Sequence, residues 1–259
     1  MGQIQNILNQ YSIEEVQEMY YNLTRKQIAE KLNVNYNSVG HILKACGCYD
    51  NSRIRKHRSQ VVNENFFFEE SSNKWYLIGY IVGDGSIRCR EGYSKTLDIS
   101  SRDISIISDI GKVINYTGQI GEYKGCYSIG FSSDKVCEYL ISLGVLPNKS
   151  SMGGRIRVNE DYLSHYLRGL LDSDGTITYQ HGDKSELILE WIGHKDHILQ
   201  VYEFLIKLGF KPHLKTYNNL YRVSFYQQSE IERLGKYLYR DCELYLERKY
   251  KRIESMVKR

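Results

Sequence analysis

Two nine-residue stretches of this chain are versions of one another, and they limit the fold more than any other feature. They are Leu77-Ile-Gly-Tyr-Ile-Val-Gly-Asp-Gly85 and Leu167-Arg-Gly-Leu-Leu-Asp-Ser-Asp-Gly175. In each, apolar residues recur at helical spacing: Leu77, Tyr80 and Ile81 in the first, Leu167, Leu170 and Leu171 in the second. Small residues stand four apart, Gly79 and Gly83, then Gly169 and Ser173. That spacing leaves one side of each helix smooth, so two backbones can approach closely and form a helix interface. Each helix ends in Asp-Gly, and the glycine is expected to take the left-handed conformation that stops a helix. Asp84 and Asp174 then sit at helix C-termini, where the helix dipole opposes a carboxylate by roughly 0.3–1 kcal/mol. Packing along the small faces sets the two acids side by side. That arrangement is repulsive alone and becomes a hard-oxygen site when a divalent cation lies between them.

One such stretch by itself is only a helix that stops at Asp-Gly, but the repeat runs on. Asp174 follows Asp84 by 90 residues, Lys195 follows Arg102 by 93, and Phe225 follows Phe131 by 94. A nearly constant offset marks a duplication. After the motifs come strands at 86–90 and 176–180, then strands from Leu97 and Leu189 that run into helices over 104–116 and 197–208. Strands at 126–131 and 221–225 follow, each leading to another helix. Each half reads αββαββα around a four-stranded antiparallel sheet, an α+β fold. Residues 71–154 make the first half and 155–259 the second. Alternation along the strands turns Leu97 and Ile99 to the core. It turns Thr96, Asp98, Ser100 and Arg102 the other way, beside Ser86, Arg88 and Arg90. In the second half the outward set is Thr176, Thr178 and Gln180, with Arg222, Ser224 and Tyr226, joined by Lys215 and Tyr217. A sheet face carrying Arg, Gln, Ser and Thr suits contacts to base edges and phosphates; an ordinary solvated face is the plain alternative.

Residues 1–46 read as a small all-α unit. Ser12-Ile-Glu-Glu15 is a capping box, and Thr24-Arg-Lys-Gln27 is a second. Ile28, Ala29 and Leu32, then Val39, Ile42 and Leu43, are expected inward. Ala29 and Val34 suit a helix-turn-helix, similar to those of transposases and resolvases. Its last helix would present Tyr36, Asn37, Ser38, His41 and Lys44 to a major groove. The plain alternative is a three-helix accessory module. Residues 47–70 are a linker holding the basic residues Arg53, Arg55, Lys56 and Arg58, suited to tracking phosphates or simply to solvent.

The two nonapeptides resemble the LAGLIDADG motif of homing endonucleases, in the single-chain form that carries two copies. The resemblance spans about residues 66–259. It implies that Asp84 and Asp174, at the eighth motif position, bind catalytic Mg²⁺, with Mn²⁺ the alternative ion and Gly83 and Ser173 beside them at the metal. The sixth position, often acidic in the family, is Val82 in one copy and Asp172 in the other. Arg102 and Lys195 fall at strand ends where the family often has a Lys or Gln, with His194 adjacent and able to position water. Lys149 and Lys249 fall at later basic positions and are implied to contact DNA. The implied activity is a metal-dependent double-strand break in a long asymmetric DNA site, leaving short 3′ overhangs and promoting spread of the protein's own mobile element. The implied protein is a monomer with an internal pseudo-twofold, found in the cytoplasm of a bacterium or in a phage-infected cell. An RNA maturase and a non-catalytic DNA-binding regulator are the competing functions. Hydrolysis through His194 and His197 lacks a partner motif.

Composition narrows the field without choosing within it. Over 259 residues the net charge is only +4, so charge neither demands nor excludes nucleic acid. The six cysteines, Cys46, Cys48, Cys89, Cys126, Cys137 and Cys242, form no C-x-x-C pair and match neither a zinc site nor a disulfide framework. No apolar run is long enough to span a membrane, and no signal peptide is read.

Overall fold

A computed structural model describes residues 3–23, 25–48, 62–147, 154–179, 186–217 and 220–257. Thr24 of the second capping box, the basic run 53–58, Lys149 and Gln180 lie outside the described residues. The chain divides into two compact units: an N-terminal unit, and a larger one holding 61–90 and everything from residue 94 onward.

In the first unit, four helices enclose a core of their own: α1 (Gln3–Leu8), α2 (Ile13–Asn22), α3 (Arg25–Lys31) and α4 (Tyr36–Ala45). Helix α1 was not anticipated; it has only six residues and no cap signal. Helix α2 starts where the Ser12/Glu15 capping box directs, with both reciprocal bonds present. Between α3 and α4 the chain turns at Asn33, whose φ of 52° is left-handed, and the Val34 N–H returns to the Ala29 carbonyl at 2.9 Å. Ile28, Ala29, Leu32, Val39, Ile42 and Leu43 are all buried, as are Cys46 and Cys48. Both thiols are free and belong to the packing.

The second unit repeats one architecture twice. Its first half runs α5 (Ser72–Asp84), β1 (Gly85–Arg88), β2 (Thr96–Ser101), α6 (Ile104–Val113), β3 (Gly121–Tyr123), β4 (Cys126–Ser132) and α7 (Asp134–Leu143). The second half runs α8 (Leu163–Asp174), β5 (Thr176–Tyr179), β6 (Leu187–Gly193), α9 (Lys195–Lys207), β7 (His213–Tyr217), β8 (Leu220–Phe225) and α10 (Gln228–Tyr239). A further helix, α11 (Glu247–Val257), follows the second half, with no counterpart after α7 among the described residues. Both sheets are antiparallel with the same strand order, β1-β2-β4-β3 and β5-β6-β8-β7. Leu97, Ile99, Ile129 and Phe131 on one sheet, and Leu189, Trp191, Val223 and Phe225 on the other, are buried. They pack with the two motif helices into one continuous core. No helix among the described residues is long and apolar enough to cross a membrane.

The motif helices end differently from expectation. Gly85 (φ −97°) and Gly175 (φ −83°) are extended, not left-handed. Each chain swings straight from helix into strand, and its glycine N–H still closes the last turn, onto Ile81 and Leu171. Glycine is needed there for space. A Cβ on Gly85 would lie 2.7 Å from the Ile81 carbonyl oxygen, and one on Gly175 would lie 2.6 Å from that of Leu171.

Candidate active site

Helices α5 and α8 cross along their small residues. A Cβ on Gly79 would overlap the Tyr166 carbonyl oxygen, and a Cβ on Gly169 would overlap that of Tyr76. These contacts exchange under the 90-residue offset, so the crossing itself carries the pseudo-twofold. Gly83 faces Ser173, and a Cβ there would strike the serine side chain and come 3.0 Å from Cγ of Asp174. The end of α5 and the Asp174 carboxylate therefore meet. Asp84 is half-buried and Asp174 exposed, so both are open to solvent. The Ser173 hydroxyl turns back on its own helix, toward the carbonyls of Gly169 (3.1 Å) and Leu170 (3.2 Å).

The donor set suits a hard divalent ion. It consists of two carboxylates at helix ends, where backbone carbonyls add negative potential. No group of three or more His, Cys, Asp or Glu side chains that could hold a metal occurs among the described residues. Such a site leaves room for waters and phosphate oxygens, which Mg²⁺ prefers to an all-protein cage.

Asp172, the acid at the sixth motif position, points away from that opening. It is buried and accepts from the Tyr76 hydroxyl (2.9 Å), the Tyr239 hydroxyl (3.2 Å) and the Leu246 N–H (2.8 Å). Burial raises its pKa, against the pull of Lys249 and these donors. It fastens α8 to α5 and to the C-terminal segment. In α5 the same position is the buried Val82.

Lys249 requires a correction. Sequence grouped it with the DNA-contacting residues, but it is 2% exposed. Its ammonium donates to the carbonyls of Leu171 (2.6 Å), Asp172 (2.8 Å) and Gly175 (2.7 Å). It caps the end of α8 from beneath, where a cation complements the helix dipole. Burial pushes its pKa down to about 8, offset by Asp172 and, more weakly, by Asp84 and Asp174. Its neighbour Arg248 donates to Asp103 of the first half at 3.0 Å. The start of α11 thus braces both halves below the paired acids. Lys249→Met should cost about 3 kcal/mol in urea unfolding, because three buried carbonyls lose their donor. An unchanged midpoint would contradict the capping role.

A second buried cation, Arg168, donates to the carbonyls of Leu244 (3.0 Å) and Leu238 (2.6 Å) and to Nδ1 of His165 (3.0 Å). Burial and the Arg168 charge push the His165 pKa down to about 4. The unfolded chain therefore binds the extra proton from about pH 6.5, while the folded chain takes it only near pH 4. Stability should fall as pH drops through that window, by about 2 kcal/mol after allowance for partial exposure. His165→Gln should flatten this part of the urea-midpoint profile against pH.

The polar face of each sheet adjoins the acids. On the first, Ser86, Arg88, Thr96, Asp98 and Ser100 share one side by register, with Arg90 just beyond β1. Arg88 is ion-paired to Asp98 at 2.5 Å. On the second, Thr176, Arg222, Ser224 and Lys215 share the side, with Thr178 and Tyr226 in line. Ser224 needs correcting: it is fully buried and donates to Glu190 Oε1 at 2.8 Å, an acceptor that Arg222 also approaches at 3.3 Å. Glu190 was missed. A lone Glu in an apolar strand, Leu187–Gly193, was the available signal, and an acid under an arginine is repeated in both halves. For Tyr217 only the backbone is described.

Register also revises one sequence pairing. Ser101 and Gly193 end equivalent strands, opposite Tyr127 and Tyr221. Arg102 therefore corresponds to His194, and Lys195 is the extra residue that begins α9. His194 caps that helix, accepting weakly from the Asp196 N–H at 3.4 Å, and lines a small cavity with Asp174 and His197. Arg102 and Lys195 are exposed. In the N-terminal unit Tyr36, Asn37, His41 and Lys44 are exposed along α4 and Ser38 is partly so, with the Arg25 guanidinium 4.9 Å from the Tyr36 ring centre.

Comparison with known proteins places this geometry. The family model for the WhiA LAGLIDADG-like domain matches residues 73–125 and 163–238, one segment in each half. The LAGLIDADG meganuclease I-AabMI, bound to uncleaved DNA, is similar in structure with a TM-score of 0.50 at 15% identity, over 71% of this chain and 88% of that one. A double lysine-to-alanine mutant of I-SmaMI has a TM-score of 0.51 at 11% identity, over 73% and 90%. A comparison with the curated proteins finds no match. Two motif helices crossing on glycine, each followed by the same four-stranded sheet, make this chain a two-motif, single-chain member of the LAGLIDADG family.

Proposed function

We propose that the chain is a site-specific, Mg²⁺-dependent endonuclease that cuts both strands of a long asymmetric DNA site as a monomer, and that cleavage serves the spread of its own mobile element. The observation that carries this reading is the approach of the end of α5, at Gly83 beside Asp84, to the Asp174 side chain at the helix crossing, with both acids at least partly open to solvent. The two acids hold the metal, with the backbone of Gly83 and Ser173 beside them. When bound there, Mg²⁺ (or Mn²⁺) lowers the pKa of water and stabilises charge on the attacking and leaving oxygens. In the reaction, water adds to phosphorus and the P–O3′ bond breaks, leaving a 3′-hydroxyl and a 5′-phosphate. His194 lines a small cavity with Asp174, and Arg102 and Lys195 are exposed near the strand ends; in this reading a cation or a ring nitrogen there steadies the phosphate or the water. The sheet faces supply base and phosphate contacts. Helix α4 adds a second DNA-binding element through Tyr36, Asn37, Ser38, His41 and Lys44.

A second reading is a DNA-binding regulator that does not cut. One observation favours it: the matching family model is described as LAGLIDADG-like and not as a nuclease. A cleavage selection separates the two. The full chain is incubated with a genomic duplex library, with Mg²⁺ or with EDTA, and new DNA ends are sequenced. Mg²⁺-dependent ends at one long motif support the endonuclease. Recovery of a bound motif without ends supports the regulator and overturns cleavage.

A further inference from the structure

Duplication kept the register of the two sheets and replaced one whole row of side chains. In the first half, Gly121 pairs with Ser128 and Ser128 with Ser100. In the second, the equivalent row is Lys215, Arg222 and Ile192. These rows end beside the acids. The Ser100 hydroxyl lies 3.5 Å from the Asp84 carbonyl oxygen, and Ile192 shares a small cavity with Asp174. One pair further along, Tyr123–Cys126 is replaced by Tyr217–Leu220. The first half offers short hydroxyls and a bare glycine. The second offers two aliphatic groups, Ile192 and Leu220, beside two cations.

That exchange builds a pocket of about 340 Å³ lined by Ile192, Lys215, Thr216, Leu220 and Arg222. Leu220 is 50% exposed. The core-facing residues of the same strand, Val223 and Phe225, are on the opposite side of the sheet and buried. An aliphatic floor rimmed by Lys and Arg is poorly suited to water and well suited to an apolar group on a polyanion. In a DNA major groove, thymine is the base that presents such a group, its 5-methyl.

We propose that this pocket reads a thymine methyl next to the cleavage centre, on the second half's side of the site only. Ile192 and Leu220 contact the methyl while Lys215 and Arg222 hold the adjoining phosphates or base edge. The inference rests on the proposed recognition of duplex DNA and adds which base is read, by which residues and in which half.

The test is a binding selection with the full chain in EDTA, using randomised duplex libraries made with thymidine or with deoxyuridine. Ile192→Ser/Leu220→Cys, which installs the first half's residues, is run in parallel. In the recovered motif, uracil for thymine at one position beside the centre should weaken wild-type binding about fourfold, the worth of one buried methyl. Uracil on the other side should have no effect. The double variant should bind duplex DNA and lose the difference. Binding that is indifferent to uracil everywhere, or a double variant that keeps the difference, overturns the pocket and leaves duplex recognition standing. Failure of the wild type to bind any duplex overturns both together.

Discussion

Asp84→Asn/Asp174→Asn is expected to lose strand cleavage by roughly 10⁴-fold, about 5.5 kcal/mol of transition-state stabilisation, and to be no less stable than the parent. The two outcomes share one cause. Each carboxylate stands at a helix C-terminus, against the dipole, and the end of α5 approaches the Asp174 side chain at Gly83. Asparagine keeps the shape of each side chain and removes both charges, so roughly 0.3–1 kcal/mol of unfavourable dipole interaction is relieved at each site. The proposed metal site would be lost with the charges, since neutral amides are weak ligands for a hard cation. Thermal melts make this sharp. Mg²⁺ should raise the midpoint of the parent by mass action and leave the double variant unmoved. A variant that melts lower than the parent without metal would mean the acids hold the fold together. A variant that still cuts would place the metal elsewhere.

Gly79→Val and Gly169→Val are expected to have the largest effect on folding. At either position even a Cβ would overlap a backbone carbonyl of the partner helix, and that carbonyl belongs to a helix whose own bonds resist displacement. Overpacking of a core usually costs 1–3 kcal/mol. Here the clash is with main chain, so the helices must separate along their whole contact, and each valine should cost about 4 kcal/mol or more. Urea titration followed by tryptophan fluorescence is suitable, because Trp75 and Trp191 are buried in that core. Gly121→Ala, on an exposed edge strand, is the matched control and should leave the midpoint within about 0.5 kcal/mol. Equal midpoints for all three variants would mean the helices do not cross as described.

Much of this was legible because the duplication supplied an internal alignment. Strand positions, the sheet face carrying Arg88 and Arg222, and the helix contact through Gly79 and Gly169 all follow from comparing one half with the other. What could not be read lacked a counterpart in the repeat. Helix α11 has no counterpart after the first half among the described residues, so nothing there indicated that Lys249 would be drawn beneath α8 to serve three carbonyls. The conformations of Gly85 and Gly175 were misread because Asp-Gly after a helix fits a left-handed stop. The actual constraint is steric, and it comes from the preceding turn at Ile81 and Leu171. The burial of Ser224 was hidden by its polar neighbours; alternation gives a side of the sheet and not depth.

The unequal pair Gly83 and Ser173 has a consequence for assembly. A Cβ at residue 83 would collide with the serine opposite. Two first halves meeting each other would place glycine against glycine and fit. Two second halves would place serine against serine at the same spacing and be forced apart. A second half with serine at this position does not fit a copy of itself across this crossing and needs the glycine of a first half. The crossing therefore favours both halves on one polypeptide, whose two sheet faces need not be alike.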